Sequence, residues 1–390
     1  MKKKSVGLWA AVGVVFLPAM AMADTAPAAP AAPAAPSLGD VLTSTGIVAL
    51  GHVSASYDAG FNKGDALAYH AFDANANTFE LNQAALSLAY QPTSGFGALV
   101  NVVAGSDAKI INSSYQGSAS GNDFALAQGF VQYANGPLTV IAGRYVTLAG
   151  AEVIDDSQDA NISRSLLFQL AEPLVHTGVR AAYKVTDAWT AFLGVNNSAV
   201  AGLSEDTDKQ KTVEFGGAYA PSTKFSVAVT DYYGVDGPSS GPSTKDNYLD
   251  GVVTWQATDK LQLVGNVDYL RFLSSAADGY AAGIAGYANY QFTDSWKGSL
   301  RGEYLSTKNT LACVTTDCKS DIEDVTLTVG YVAAKNFTIL GEFRDDISGK
   351  KIFPNPTTDL DPSGNPLGAE NQAEISIKGI FTFGNPPPSS

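Results

Sequence analysis

The stretch DVTLTVGYVAAKNFTILGEFR (Asp324–Arg344) contains two segments in which apolar and polar residues alternate. In Asp324–Tyr331, valine, leucine and tyrosine alternate with aspartate and threonine; in Phe337–Arg344, phenylalanine and isoleucine alternate with threonine, glutamate and arginine. A period of two residues is typical of β-strands, whose side chains point to opposite faces. The short segment Ala334–Asn336 lies between them, so the stretch predicts a β-hairpin with one apolar and one polar face.

Alternating segments of this kind, about ten residues long, recur from Gly46 to Phe383. Clear examples are Thr212–Tyr219, Trp296–Leu305 and Glu374–Phe383. A soluble β-sandwich would show the same alternation, so the pattern alone does not distinguish a sandwich from a barrel. The connections between the segments and the positions of the aromatic residues are needed to separate the two.

The connections alternate strictly between short and long. Short turns are predicted at Pro92–Gly95, Asn135–Pro137, Thr186–Ala188, Pro221–Thr223, Thr258–Lys260, Thr293–Ser295 and Ala334–Asn336, and long connections near 58–76, 106–122, 147–173, 198–211, 234–246, 273–279, 306–322 and 346–371. Seven short turns and eight long connections join sixteen strands and leave both termini at one end. Short periplasmic turns and long external loops are typical of bacterial outer-membrane barrels.

Aromatic residues concentrate at the ends of the predicted strands. Those beside short turns are Tyr183, Trp189, Tyr219, Phe225, Trp255, Phe292, Trp296, Tyr331, Phe337 and Phe383, and those towards the long connections are Tyr269, Tyr280, Tyr304 and Phe343. Such rings form the girdles of a membrane barrel at its two interfaces. A general preference of aromatics for strands would not explain why they avoid the strand middles.

The composition also favours a membrane barrel. Only 16% of the 390 residues are charged, against about 25% in soluble domains, yet the chain after its N-terminal segment has no apolar run long enough for a spanning helix. We therefore expect an all-β transmembrane antiparallel barrel of sixteen strands; a soluble, secreted β-rich protein fits less well. The net charge of −14 argues against nucleic acid as a partner.

The ends of the chain predict export. Met1–Ala23 has the basic start, apolar core and small-residue cleavage site of a signal peptide, although an uncleaved anchor helix is the alternative. Residues 24–45 form a Pro-Ala-rich spacer, which we expect in the periplasm, with the extended tract at Ala26–Ser37. Residues 46–383 are the predicted barrel, and 384–390 are a C-terminal tail.

The third long connection, TLAGAEVIDDSQDANISRSLLFQLAEP (Thr147–Pro173), is too long for a hairpin loop. Ile162, Leu166 and Leu170, four residues apart, predict a short helix that ends before Pro173. We expect this connection to fold inward and to narrow a water-filled pore.

The predicted constriction combines acids of that connection with bases of the barrel wall. The acids are Glu152, Asp155, Asp156 and Asp159, and the bases are Arg180, Arg301 and Arg344; alternation also turns Glu214, Asp250, Asp268, Lys297, Glu303 and Glu342 inward. Opposed charges would set a field across the pore that favours small polar solutes. The alternative is that the wall charges only solvate a wet interior.

Three further groups could carry chemistry. Cys313 and Cys318 predict a disulfide in an exported chain, since two thiolates alone make a poor zinc site. The loop DLDPSGNPLGAE spaces oxygens as a calcium loop does, and its candidate ligands are Asp359, Asp361, Ser363 and Glu370. The helix between His176 and the upstream serines Ser163 and Ser165 gives no reason for a hydrolase pair, so no enzyme is expected.

Several segments of the sequence resemble those of a known family. They are ELNQAALSLAYQP (Glu80–Pro92), QGFVQY (Gln128–Tyr133), AGRYVTLAGAEVID (Ala142–Asp155) and SRSLLFQLAEPLVHTGVRAAYKV (Ser163–Val185). The chain thereby resembles the putative β-barrel porin-2 family of OmpL-like outer-membrane porins. The resemblance implies a channel in the outer membrane of a Gram-negative bacterium, in contact with its lipid, that passes small hydrophilic solutes or ions; it implies no catalytic residues or cofactor.

The sequence also predicts two kinds of protein partner and leaves one alternative function open. The segment Glu374–Phe383 resembles the C-terminal strand that the barrel-assembly machinery recognises, and a homotrimer is expected by analogy with other sixteen-stranded barrels. The alternative to a channel is a plugged barrel that serves as a surface scaffold or adhesin. The modest length of most long connections favours the channel.

Overall fold

The computed structural model describes residues 38–62, 66–112, 121–200, 209–236, 244–274, 278–310, 319–355 and 368–385. Three short helices lie in this part of the chain, namely α1 (Leu38–Thr45), α2 (Asp107–Ile111) and α3 (Leu166–Leu170). The strands are β1 (Val48–Gly60), β2 (Thr78–Tyr90), β3 (Ser94–Ala104), β4 (Phe124–Asn135), β5 (Leu138–Val146), β6 (Val175–Lys184), β7 (Trp189–Asn196), β8 (Thr212–Ser222), β9 (Phe225–Asp236), β10 (Thr244–Gln256), β11 (Leu261–Ser274), β12 (Asp278–Gln291), β13 (Trp296–Lys308), β14 (Lys319–Ala334), β15 (Phe337–Ser348) and β16 (Asn371–Asn385).

The sixteen strands form a closed antiparallel barrel in which each strand pairs with its neighbours in sequence. The barrel closes where β1 pairs with β16, from Ala49 opposite Asn385 to Gly60 opposite Glu374. Closure leaves no free sheet edge, so the backbone hydrogen-bonding groups are satisfied without water, as a lipid environment requires. The predicted fold class and strand number are confirmed.

The two faces of the barrel are reversed relative to a soluble protein. On β14, Val325 and Leu327 on the outer face are about half exposed (51% and 52%), whereas Thr326 and Thr328 on the inner face are buried. Apolar side chains that cover the outside of a closed barrel form the surface that contacts lipid. No helix in the described ranges has the length and hydropathy needed to cross a membrane.

The two ends of the barrel differ, and we call them the short-turn end and the long-loop end. Part of the inner wall near the long-loop end is apolar, which interrupts the polar inner face expected from alternation. Its main members are Tyr232, Tyr248, Leu270, Leu305 and Ile322, all buried in one hydrophobic cluster.

The chain ends differ in detail from the prediction. Residues 1–37, which include the predicted signal peptide, lie outside the described residues, and the last part of the predicted spacer is helix α1. The predicted tail begins too early, because β16 continues through Gly384 to Asn385. The Asn385 side chain extends the pairing: its Oδ1 accepts a hydrogen bond from Ala49 N (2.7 Å), and its Nδ2 donates one to Ile47 O (3.0 Å).

Candidate functional site

The third long connection, here called the inner loop (residues 147–173), lies inside the barrel. Wall side chains of several strands hold its backbone, among them residues of β2, β13 and β15. The carboxylate of Glu342 on β15 accepts hydrogen bonds from Ile162 N (2.6 Å) and Ser163 N (2.8 Å). Arg301 on β13 donates to Ser163 O (2.8 Å), and Gln83 on β2 donates to Ile154 O (2.6 Å). The loop is therefore attached to both sides of the lumen.

Helix α3 is a single turn whose start is fixed by two side chains. Ser165 caps it by accepting a hydrogen bond from Phe168 N (3.1 Å). Glu303 on β13 accepts from Leu166 N (2.8 Å) and Leu167 N (3.3 Å), and a carboxylate at this position also interacts favourably with the helix dipole. The predicted helix is thus present, but it begins at Leu166 rather than near Ile162.

The helix seals one side of the lumen by apolar packing. Leu166, Leu167 and Leu170 are fully buried in the same cluster as the apolar wall residues of β9–β14. Burying a leucine side chain contributes about 1.5–3 kcal/mol. Between β9 and β14 the inner wall therefore serves as a docking surface for α3 rather than as the lining of an aqueous channel.

The predicted charged residues lie in two different settings. Arg301 contacts Glu152 of the inner loop (2.9 Å) and Asp324 of the wall (3.0 Å). Arg344 also contacts Asp324 (3.0 Å), and it donates to Arg164 O in the loop (2.7 Å). These contacts join loop and wall, and the two arginines are fully buried.

Arg180 belongs to a separate pair on the opposite part of the wall. Its Nε donates to Glu214 Oε1 (2.5 Å), and its guanidinium lies over the ring of Tyr145 (4.3 Å to the centroid). It also donates to Val146 O (3.1 Å), just before the inner loop begins. The structure therefore brings Arg301 and Arg344, but not Arg180, into contact with the loop.

The aspartates of the inner loop are also unequal. Arg164, a residue that the sequence analysis did not single out, contacts Asp156 (3.0 Å) and Asp159 (2.9 Å). Asp156 additionally contacts Lys378 of β16 (3.2 Å). Burial opposes ionisation of Asp156, but Lys378 and Arg164 hold the pKa of its carboxyl below the ordinary value. Asp155 differs, since its side chain is 44% exposed and lies against the imidazole of His52 (3.2 Å) rather than an arginine.

A cavity of about 210 Å³ lies between the inner loop and strands β1–β5. Its wall carries uncharged polar side chains, and the loop contributes carboxylates to its lining. The polar lining residues are His52, Gln83, Ser87, Asn101, Gln128, Thr147, Glu152, Asp155 and Gln158. Sequence reasoning missed the wall members because β1 and β2 alternate imperfectly and amides give a weaker signal than charges.

Other predicted residues have different outcomes. Cys313, Cys318, Asp359, Asp361 and Ser363 lie outside the described residues, so the disulfide and the calcium loop stay predictions. Of the calcium candidates only Glu370 is described, and its main-chain oxygen accepts a hydrogen bond from Ser348 N (2.7 Å). The possible hydrolase residues are used in packing: His176 stacks on Tyr232 (4.4 Å between ring centroids), and Ser163 Oγ accepts a hydrogen bond from Arg301 (3.2 Å).

Solved structures with the same fold are outer-membrane proteins. The chain is similar to the anion-selective porin from Comamonas acidovorans, with 10% identity, a TM-score of 0.60, and coverage of 86% of this chain and 99% of that one. It is similar to in-vitro folded OmpT of Vibrio cholerae in its trimer form, with 12% identity, a TM-score of 0.59, and coverage of 86% and 99%. For Pseudomonas putida OprB the values are 13% identity, a TM-score of 0.57, and coverage of 88% and 96%.

No curated protein sequence matches the chain. A family model described as "Putative beta-barrel porin-2, OmpL-like" matches residues 46–383, which span all sixteen strands as far as Phe383. Together with the closed barrel and its lipid-facing outer surface, this match places the protein in the outer membrane, as an OmpL-like member of the β-barrel porin-2 family.

Proposed function

We propose that the protein allows small hydrophilic solutes to diffuse passively across the outer membrane. The observation that carries this proposal is the cavity between the inner loop and β1–β5, which lies inside a closed barrel of a porin family. Apolar and ionic contacts fill the opposite side of the lumen, so the cavity is the path that the inner loop leaves for solutes. The inner loop is then the constriction, and we propose no catalytic role.

The polar groups that line the cavity suggest what would pass. Amides and hydroxyls can replace part of the hydration shell of a small polar solute. They offer no such compensation to an apolar solute, which prefers lipid. Asp155 is the exposed carboxylate of the constriction, so we expect a modest preference for cations over anions. Glu152, Asp156 and Asp159 contact arginines and act mainly by holding the loop in place.

A plugged barrel that serves as a surface scaffold is the second candidate. The observation in its favour is the density of buried charge across the lumen, where Arg164, Arg301 and Arg344 are all fully buried. Reconstitution of the purified chain into a planar bilayer distinguishes the two candidates. Discrete conductance steps are expected for the channel, and a correctly folded barrel that gives no steps would support the scaffold instead.

We also propose that the barrel assembles as a homotrimer with its short turns in the periplasm. The support is the trimeric form of the similar OmpT structure, and a likeness of fold suggests an assembly without establishing it. Analytical ultracentrifugation of the detergent-solubilised chain is expected to give a protein mass of three subunits. A monomeric mass over a range of protein concentrations and mild detergents would contradict this assembly.

A further inference from the structure

The first long connection, here called the first loop (residues 61–77), brings two side chains next to β16. His70 and Asp73 of this loop lie beside Glu374, and one ligand-type atom from each of the three lies within 4.8 Å of the other two. His70 Nδ1 is 2.8 Å from Asp73 Oδ2 and 3.5 Å from Glu374 Oε1. We propose that these three residues bind a divalent transition-metal ion, with Zn²⁺ as the best match.

Glu374 is the residue that the surrounding protein leaves unsatisfied. It is 1% exposed, and neither of its carboxylate oxygens has a hydrogen-bond partner among the described residues. The two ring nitrogens of His70 face Asp73 at 2.8 Å and Asp346 at 2.9 Å, so both of its donors have closer acceptors. A buried carboxylate without a donor is costly unless it takes up a proton or a cation is bound to it.

The opposite side of the imidazole is already oriented for metal binding. His70 Nε2 faces Asp346 Oδ2, and Asp346 is held in turn by Arg344 Nε (2.8 Å) and Gln372 Nε2 (3.3 Å). Histidine ligands of metal sites commonly donate their second N–H to a carboxylate, which fixes the ring and its tautomer. This arrangement leaves Nδ1 as the metal-binding nitrogen.

The distances suit a tetrahedral ion. Bonds of 2.0–2.2 Å place neighbouring ligand atoms about 3.4 Å apart. The separation of 3.5 Å between His70 and Glu374 already fits, and the 2.8 Å between His70 and Asp73 must lengthen by about half an ångström. That change is expected when a metal replaces the shared proton. One imidazole with two carboxylates suits Zn²⁺ better than Ca²⁺, which prefers oxygen alone.

The local charge also favours a cation. Asp58 of β1, whose Oδ1 is buried without a hydrogen bond, adds a fourth carboxylate to Asp73, Asp346 and Glu374 near the proposed ion. Of the wall cations in this region, Arg344 contacts Asp324 (3.0 Å) and Asp346 (2.8 Å), and Lys378 contacts Asp156 (3.2 Å), so neither is in contact with Asp58, Asp73 or Glu374. The remaining excess of carboxylate is what a divalent ion would neutralise.

Metal binding here would stiffen both lumen loops. Phe72, next to the proposed ligands, packs edge-on against Phe168 of α3 (5.7 Å between centroids), and Arg164 of the inner loop lies over the Phe72 ring (5.3 Å). An ion held between the first loop and β16 would fix Phe72 in place. The ion would thereby fix one contact surface of the inner loop.

The test uses the full chain, purified in detergent and stripped with a chelator. Isothermal titration with Zn²⁺ is expected to show one ion per barrel, and E374Q and H70Q are expected to weaken that binding at least tenfold. Zn²⁺ should also raise the thermal midpoint of the wild type, but not that of E374Q, because only a bound ligand stabilises the fold. H52Q changes a lumen histidine outside the cluster and should bind Zn²⁺ as the wild type does.

Two results would overturn the site. One is the absence of Zn²⁺ binding by a wild-type barrel that circular dichroism shows to be folded. The other is undiminished binding by folded E374Q, a substitution that keeps side-chain volume and removes only the charge. Neither result depends on whether the barrel conducts, so the metal site and the proposed channel fail independently.

Discussion

The two sides of the lumen wall make different contacts with the inner loop. Strands β9–β16 hold it through buried charged side chains and an apolar docking surface, whereas a cavity lies between it and β1–β5, where Gln83 on β2 donates a hydrogen bond to Ile154 O (2.6 Å). Both sides come from strands with the same apolar-out alternation. The difference lies in which side chains occupy the inward positions, and it determines where the loop packs against the wall and where a cavity separates the two.

The physical reason for the difference is the cost of burying charge. An arginine in the lumen must find carboxylates or carbonyls when water is excluded, and the inner loop supplies both to Arg301. Amides such as Asn101 and Gln128 carry no charge, so they need no ionic partner from the loop, and Asn101 donates instead to Ser87 on the neighbouring strand (2.6 Å). The buried arginines Arg301 and Arg344 therefore contact the loop, whereas the cavity lies beside wall positions that are mostly neutral and polar.

The largest expected effect comes from removing the central cation of the filled side. Arg301→Met leaves Glu152 and Asp324 without their common partner, and breaking a buried ion pair typically costs about 3–5 kcal/mol. We expect a lower thermal midpoint by circular dichroism and, because the inner loop loses an anchor, a larger single-channel conductance. Arg271→Met, at an exposed site on β11, is the matched control. An unchanged midpoint for Arg301→Met would show that the filled side is not held by this cluster.

An intermediate effect is expected at Glu172, which lies at the end of the inner loop. Burial and the neighbouring Asp268 and Asp250 raise the pKa of Glu172 well above the ordinary value of 4.5. Above about pH 4.5 the folded state retains a proton on Glu172 that the unfolded state has lost. The free energy of unfolding therefore falls as the pH rises above that value, by about 1.4 kcal/mol for each unit by which the pKa is raised.

Glu172→Gln should remove this part of the pH dependence and stabilise the barrel at neutral pH. Thermal midpoints measured between pH 4 and pH 8 give the comparison. Glu323→Gln, at an exposed position on β14, controls for the loss of one carboxylate. If the two variants show the same pH profile, Glu172 is ionised in the folded protein and the assignment of its protonation state is wrong.

The smallest effect is expected on the open side. Asp155→Asn should reduce cation preference with little change in stability, because Asp155 is partly exposed, and a single charge in a water-filled passage acts with about 1 kcal/mol or less. The reversal potential in a salt gradient measures the change. Asp187→Asn, at a fully exposed short-turn site, should leave that potential unaltered. A reversal potential that Asp155→Asn does not change would remove this residue from the constriction.

Alternation predicted the strands and the inward side of Arg301 and Arg344, and the short and long connections with the aromatic positions then predicted a barrel of sixteen strands. The candidate site was predicted less completely. Arg164 could have been noticed as the cation within an acidic loop, but its partners depend on how that loop folds back on itself. The apolar docking surface around Leu305 could not be foreseen, because an inward leucine breaks the alternation on which the prediction rests.

The sequence by itself determined the closed, lipid-facing barrel, because the two-residue period of each strand, the alternating connection lengths and the aromatic positions are local features that depend on no distant contact. Only the tertiary structure decided which of the inner-loop acids contact arginine, which one stays partly exposed, and that His70 meets Glu374 across some three hundred positions of chain. Those outcomes depend on the path of the loops inside the barrel. That path follows from charge pairing and apolar packing between segments that the local pattern does not connect.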